Sequence, residues 1–247
     1  MNVGGNAFSK GINFASSNYN VKFTIDKNNN VIISEHKKKT MGYTSRRLRK
    51  IPLLKGLVSL LSNRLMFVLI IVSAALDMGM FFTEDVRNDD IDLMIIVILG
   101  VIFLIYIIFI LKNICFNLKN ILQYHAAEHK TIYAYENNIE MTMENIRKCP
   151  RTAKRCGTNL CVFLIIFAVP TSLLIPFASL SVIVSFMLAY ELFDLNKGDK
   201  YPLLKIFFKF GYFCQEKFLT KEPTDIQINA SIIAFKKLIE LNKKSGL

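Results

Sequence analysis

The sequence predicts a mainly α-helical, polytopic integral membrane protein with about four transmembrane helices, and three observations favour this fold class. Its 247 residues are 52% hydrophobic and 20% charged, against roughly 45–50% and about 25% in average soluble domains. The apolar residues fall into blocks, and residues 93–111 carry no charge over a length that crosses a bilayer. The basic excess, a net charge of +12, lies between these blocks. These properties exclude a disordered chain and a disulfide scaffold.

The first region, residues 1–50, is predicted to be cytosolic and rich in β structure. The segments VKFTID and VIISE alternate in polarity on either side of the polar turn KNNN, which indicates a β-hairpin. Gly4, Gly5 and Gly11 predict a tight loop before this hairpin. The region contains no apolar signal-peptide core, so we expect no cleaved leader. The five cysteines form no CxxC pair and are expected to be reduced thiols.

The second region, residues 51–193, is predicted to be the membrane domain. Residues 52–62 should form an amphipathic helix that leads into a first span at 65–82, and 93–111 should form the second span. The third apolar block, 160–190, would measure about 46 Å as a single helix, longer than the ~30 Å hydrocarbon core. Its two prolines allow either one long kinked helix or a hairpin of two shorter helices.

The charges that flank these blocks predict the orientation of the chain. Residues 83–92 carry five acids and one arginine, whereas the flanks of the other blocks are basic. The positive-inside rule therefore places both termini and the central segment, residues 112–159, in the cytoplasm. Because both flanks of the third block are basic, this block should leave and return on the same side, which favours the hairpin and four spans. The predicted location is the cytoplasmic membrane.

The third region, residues 194–247, is predicted to form cytosolic and interfacial helices. Between Pro202 and Phe218, lysines alternate with Phe, Leu and Ile, a pattern typical of a helix at the membrane surface. Thr224 and Gln227 fit a capping box for a last helix over Asp225–Asn242.

Two of the three histidines lie in the segment YHAAEHK, which is the candidate for chemistry. The four-residue spacing puts His125 and His129 on one face of a helix, where two imidazoles can share a divalent metal, most plausibly zinc. Glu128 lies on the same face and is the candidate general base. The pattern HxxEH is typical of inverzincin metallopeptidases. The same three residues would also be ordinary on a solvated helix surface, where Glu128 would pair with Lys119 or Lys130.

The predicted topology supplies two candidates for the third metal ligand. Cys156 directly precedes the third apolar block and Glu191 directly follows it, so the hairpin would bring both to the cytoplasmic boundary near the histidines. Thiolate and carboxylate are both zinc ligands. The competing interpretations are that Glu191 caps a helix or pairs with a lysine, and that Cys156 is an unreactive thiol.

Several motifs resemble the YqhQ-like bacterial membrane proteins, the family of the domain of unknown function 1385. They include GGNAFSKGI, KIPLLKGLVSL, QYHAAEHKTIYAYE, RCGTNL and LTKEPTDIQINASIIAFKKL, so the resemblance spans nearly the whole chain. This family has been described as predicted metal-dependent enzymes. Members usually carry histidines shortly before RCGT, where this chain has Cys149 and Ala153. In the first motif, members usually have an acidic residue at the position where this chain has Lys10. Cys149 is able to replace a histidine ligand, whereas Ala153 is not.

The sequence therefore predicts a zinc-type metal-dependent enzyme, a hydrolase, with its site at the cytoplasmic membrane interface. The alternative is a non-enzymatic membrane scaffold or assembly factor, whose basic face docks lipid or a protein complex. Membrane lipid, particularly anionic lipid, is an expected partner in both cases. Nucleic acid is not, because no aromatic reader motif accompanies the basic run RKCPRTAKR. Transport has little support, since few ionisable groups lie within the predicted spans.

Overall fold

The N-terminal residues form a four-stranded antiparallel sheet in a computed structural model that describes residues 3–26, 30–38, 47–62, 70–74, 77, 118–195 and 201–245. The strands pair in chain order and are β1 (Gly4–Phe8), β2 (Gly11–Ala15), β3 (Tyr19–Ile25) and β4 (Val31–Lys37). The predicted hairpin corresponds to β3 and β4, in which Tyr19 lies opposite Lys37 and Ile25 opposite Val31. The sequence thus identified half of the sheet.

A tight two-residue turn, Ser9–Lys10, does precede the predicted hairpin, but the glycines that indicated it belong to strands. Gly4 and Gly5 lie in β1 and Gly11 lies in β2. A Cβ atom on Gly11 would lie 2.0 Å from the backbone oxygen of Phe23 in β3. Glycine is therefore required at this position because neighbouring backbones approach closely, which is a recognised reason for a glycine within a strand.

One face of the sheet packs on the C-terminal helix, α7 (Asp225–Lys244). Alternate strand residues point to this face, and the ring centroids of Phe14 and Phe235 lie 5.0 Å apart in an edge-on arrangement. The fully or largely buried residues of this core are Ile12, Phe14, Val21, Phe23, Tyr124, Ala230, Ala234, Phe235 and Leu238. The predicted capping box of α7 is present, and the backbone N–H of Thr224 donates to Oε1 of Gln227 over 2.7 Å.

The HxxEH segment lies in a helix, α2 (residues 118–136), that packs on the same core through Tyr124. A short helix, α3 (Met143–Lys148), follows and contacts α7 through Ile146. The sheet, these helices and the end of the chain cluster into a first unit that draws on Met1–Thr40, Ile114–Cys156 and Lys209–Leu247. Distant parts of the sequence thus meet in this unit, and the HxxEH helix is part of its core.

A second unit draws on Met41–Asn113 and Gly157–Phe208. Its described helices include α1 (Leu54–Ser62), α4 (Gly157–Leu174) and α5 (Ala178–Phe193), and α6 (Pro202–Cys214) continues from this unit into the first. The predicted amphipathic helix at 52–62 corresponds to α1, which packs on α5 where Gly56 meets Met187. Asp77 accepts hydrogen bonds from the backbone N–H groups of Ala178 and Ser179 and thereby caps α5.

The prediction of a mainly α-helical protein with four spans was wrong. Among the described residues, one helix, α4, is long and apolar enough to cross a membrane, and it occurs together with the four-stranded sheet. The third apolar block is indeed broken near Pro176, but α5 has only 16 residues, about 24 Å, which falls short of a ~30 Å hydrocarbon core. The first two predicted spans lie outside the described residues except for 70–74 and 77. The multi-pass topology and the cytoplasmic termini have no support from the structure.

The close approach at Gly11 gives a test of the sheet. We expect Gly11→Ala to lower the free energy of unfolding by about 1–3 kcal/mol, because overpacking must displace the Phe23 backbone. Gly4→Ala is the matched control, since a Cβ there meets nothing within 4 Å. Urea titration of both variants in mild detergent measures the difference. Equal stability of the two variants would contradict this packing.

Candidate metal centre

Helix α2 presents both histidines of the HxxEH motif on one face. The ring centroids of His125 and His129 lie 4.3 Å apart, as their four-residue spacing requires. Between them, Ala126 and Ala127 are completely buried, and these small side chains let neighbouring elements pack closely on the helix. Because the helix is fixed within the first unit, the direction of the two imidazoles is fixed as well.

The side chain of Cys156 lies close to both of these histidines. Its Sγ lies 3.4 Å from Nε2 of His125, and one ligand atom from each of the three residues lies within 4.8 Å of the others. Ligand atoms held at 2.0–2.3 Å by a tetrahedral ion are about 3.3–3.8 Å apart. Small side-chain adjustments therefore suffice for all three residues to bind one ion.

The tautomer of each histidine follows from a hydrogen bond on the far side of its ring. Nδ1 of His125 lies 2.9 Å from the carbonyl oxygen of Leu219, and Nδ1 of His129 lies 2.6 Å from that of Arg151. A carbonyl oxygen only accepts, so Nδ1 must donate in both rings. In the neutral imidazole this leaves the lone pair on Nε2, the arrangement seen in histidines that bind metals.

The ligand group is suited to a borderline-soft divalent ion. Imidazole nitrogen and thiolate sulfur are preferred over carboxylate by such ions, and three protein ligands leave a fourth tetrahedral position for water or a substrate. All three residues are at least partly buried, which keeps bulk water from competing for the ion. The geometry therefore fits a site of the catalytic type better than a closed structural site.

Glu128 is buried beside these residues and lacks a full set of partners. Its side chain packs against β1, where a Cβ on Gly5 would lie 2.8 Å from Oε1. Oε2 is buried and accepts no hydrogen bond from any described residue. Burial raises the pKa of Glu128 to about 7, although the nearby His125 acts in the opposite direction. Lys130 pairs with Glu222 and not with Glu128. The alternative of a surface ion pair between Glu128 and Lys130 is therefore wrong.

Glu191, the other predicted ligand, is engaged elsewhere in the second unit. Its Oε2 accepts a hydrogen bond of 3.0 Å from the backbone N–H of Leu53, and its Oε1 lies 3.2 Å from Nζ of Lys55. A carboxylate is favoured there because the amino-terminal end of α1 carries partial positive charge. The group of converging ligands does not include Glu191.

Cys149 and Ala153 occupy the two positions at which similar proteins usually carry histidines. Neither residue belongs to the ligand group. The thiol of Cys149 donates to the carbonyl oxygen of Asn145 over 3.3 Å, and its pKa is raised by burial in an apolar cluster. The backbone of Ala153 is held by Gln215, which accepts from its N–H over 2.8 Å and donates to its carbonyl oxygen over 3.1 Å. Neither position is therefore needed to complete three ligands.

Sequence reasoning missed an ion-pair network that is centred on the buried Lys130, next to His129. Nζ of Lys130, 3% exposed, donates to the carbonyl oxygens of Arg147 and Cys149 and lies 2.9 Å from Oε1 of Glu222. The other oxygen of Glu222 lies 3.4 Å from Nε of Arg151. The network thus fixes the segment whose carbonyl group orients His129. The only sequence signal was that Lys130 directly follows the motif.

A π-helical segment, Gln215–Leu219, was also not predicted. Its first residue, Gln215, is completely buried, and the hydroxyl of Thr220 donates to the Gln215 carbonyl oxygen over 2.8 Å. Its last residue provides the carbonyl oxygen that orients His125. Such wide turns are rare and occur frequently at functional sites. Hydropathy patterns do not distinguish them from an ordinary helical turn.

Comparison with known proteins identifies the family of this chain. No solved structure matches the chain. It is 28% identical over 251 residues to "Uncharacterized protein YqhQ" of Bacillus subtilis (strain 168), a match that covers 96% of this chain and 74% of that protein. The model of the family "Protein of unknown function (DUF1385)" matches residues 26–241, which include every residue of the ligand group. The chain therefore belongs to the DUF1385 family.

Proposed function

We propose that this protein is a metal-dependent hydrolase with a zinc centre formed by His125, His129 and Cys156. The observation that carries the proposal is the convergence of three ligand atoms while the Nδ1 atoms of both imidazoles face backbone carbonyl oxygens. Solvated surface histidines would not need two such carbonyl partners. A bound zinc ion supplies a Lewis acid and lowers the pKa of its water to about 7.

Glu128 is the proposed general base. It lies on the histidine face of α2, and its unpartnered oxygen is free to accept a proton. Its burial supports this role, because a general base is most effective when its pKa lies near the working pH. Cys156 serves as a ligand in this mechanism and Glu191 has no part in it.

The proposed substrate is associated with the cytoplasmic membrane. Support comes from the apolar helix α4, whose length allows it to cross a bilayer, and from the net charge of +12, which favours an anionic surface. Cys156 directly precedes Gly157, the first residue of α4, so one ligand of the site is next to this helix in the chain.

Metal content is the first test. We expect the purified wild type to contain about one zinc ion per chain, since three protein ligands define one site. His125→Ala and Cys156→Ser should both lose the metal on dialysis, as measured by plasma mass spectrometry. His36→Ala and Cys149→Ser are matched controls that should keep it, because neither side chain belongs to the ligand group. A folded wild type that binds no metal would contradict the proposal and favour the scaffold function.

Glu128→Gln separates chemistry from metal binding. The substitution keeps the shape of the side chain but removes the basic oxygen, so the variant should retain its metal and lose at least about 100-fold in hydrolytic rate. Membrane extracts incubated with each protein and analysed by mass spectrometry would reveal products released by the wild type alone. Products formed equally by both proteins would exclude Glu128 as the base.

Lys130 is a proposed positioning residue for His129. Lys130→Met should weaken zinc affinity by about 10–100-fold, because the segment that carries the Arg151 carbonyl group loses its anchor. The thiolate-to-cobalt absorption band of the cobalt-substituted protein should shift as well, since the ligand geometry changes. Lys148→Met removes an exposed lysine and is the control. If both variants bind zinc like the wild type, the network does not position the site.

A further inference from the structure

Helix α6 presents a continuous apolar stripe to its surroundings. Its four members lie within an arc of about 80° on the helical circumference. They are large, and each is at least half exposed: Leu203 (66%), Ile206 (61%), Phe210 (56%) and Phe213 (50%). Isolated exposed apolar residues are ordinary, but a contiguous set on one helix face marks an interaction surface.

The opposite face of the same helix is buried against α4. Phe208 is 2% exposed, and its ring centroid lies 5.2 Å from that of Phe163. Phe163 lies within the first two turns of α4, the helix that can cross a bilayer. A spanning helix begins near the membrane surface, so α6 is held at the depth of that surface.

The charges of α6 have one sign. Lys205 and Lys209 lie along one edge of the stripe, and residues 201–215 contain no acidic residue. Neither lysine forms an ion pair with any carboxylate in the part of the chain that the structure describes. Lysines at the border of an apolar stripe are suited to the phosphate groups of lipids, while their stems cover the adjoining apolar surface.

We propose that the exposed face of α6 docks on the surface of an anionic lipid bilayer. The stripe enters the boundary between headgroups and acyl chains, and Lys205 and Lys209 contact the phosphates. A protein partner is disfavoured because the stripe offers no hydrogen-bonding side chain of its own, and the adjoining charge is uniformly basic. The inference does not depend on the metal centre, and its test does not involve it.

The chain contains no tryptophan, which provides a clean spectroscopic background. Leu203→Trp and Phe210→Trp, each in the full chain, place one reporter at the start of the stripe and one in its second half. The proteins are reconstituted in vesicles with about one-third phosphatidylglycerol, with or without brominated acyl chains. We expect blue-shifted emission and strong quenching by the bromines. Ile32→Trp, on the exposed strand β4, is the control and should be quenched less by about twofold or more.

The role of the lysines is tested on the Phe210→Trp background. Quenching should be weaker in vesicles of phosphatidylcholine alone, and Lys205→Gln with Lys209→Gln should remove the difference between the two kinds of vesicle. Equal quenching of the parent reporter in both vesicles would overturn the anionic preference. Blue-shifted emission without quenching would mean that a protein surface covers the stripe, and water-like emission would mean that nothing does. Either result would overturn the proposal.

Discussion

The carbonyl oxygens of Arg151 and Leu219 determine which nitrogen of each histidine is available to a metal. Both follow the HxxEH helix in the sequence, one 22 residues after His129 and the other 94 residues after His125. The motif alone provides two imidazoles on one helix face, but it does not set their tautomers. That requires the first unit to be folded, with its sheet, α2 and α7 packed around the phenylalanine core. The chemistry of the site is therefore a property of the tertiary structure.

The polar groups around this site fall into two kinds. Lys130 is almost completely buried, yet it binds two carbonyl oxygens and Glu222, as buried charges usually must. Glu128 is equally buried, but one of its oxygens lacks a partner among the described residues, an arrangement that costs about 1–3 kcal/mol. Packing does not explain this carboxyl group, because an apolar residue of similar size would avoid the cost. The contrast supports a chemical role for Glu128 and a structural role for Lys130.

Much of the candidate site could be predicted from sequence because it depends on local geometry. The helical repeat places His125 and His129 together, and the position of Cys156 at the start of an apolar block made it a reasonable third ligand. Glu191 occupied a similar position at the other end of that block, and the sequence left open whether it binds metal, caps a helix or pairs with a lysine; it bonds to the Leu53 backbone and pairs with Lys55. The fold was harder to predict from the sequence than the site. Hydropathy does not separate an 18-residue helix that is long enough to cross a bilayer from a 16-residue helix that is too short. The glycines of β1 and β2 conceal strands whose backbones approach closely.

The surface of α6 and the orientation of His125 are linked through the backbone. The π-helical segment follows α6 directly, so the stripe residue Phe213 is six residues from the carbonyl group of Leu219. Gln215 holds the start of this segment to the Ala153 backbone by two hydrogen bonds, and Thr220 closes its end. These hydrogen bonds at both ends of the segment hold the Leu219 carbonyl group at the position where it accepts from Nδ1 of His125, so the orientation of this ring depends on the local fold of the π-helical segment.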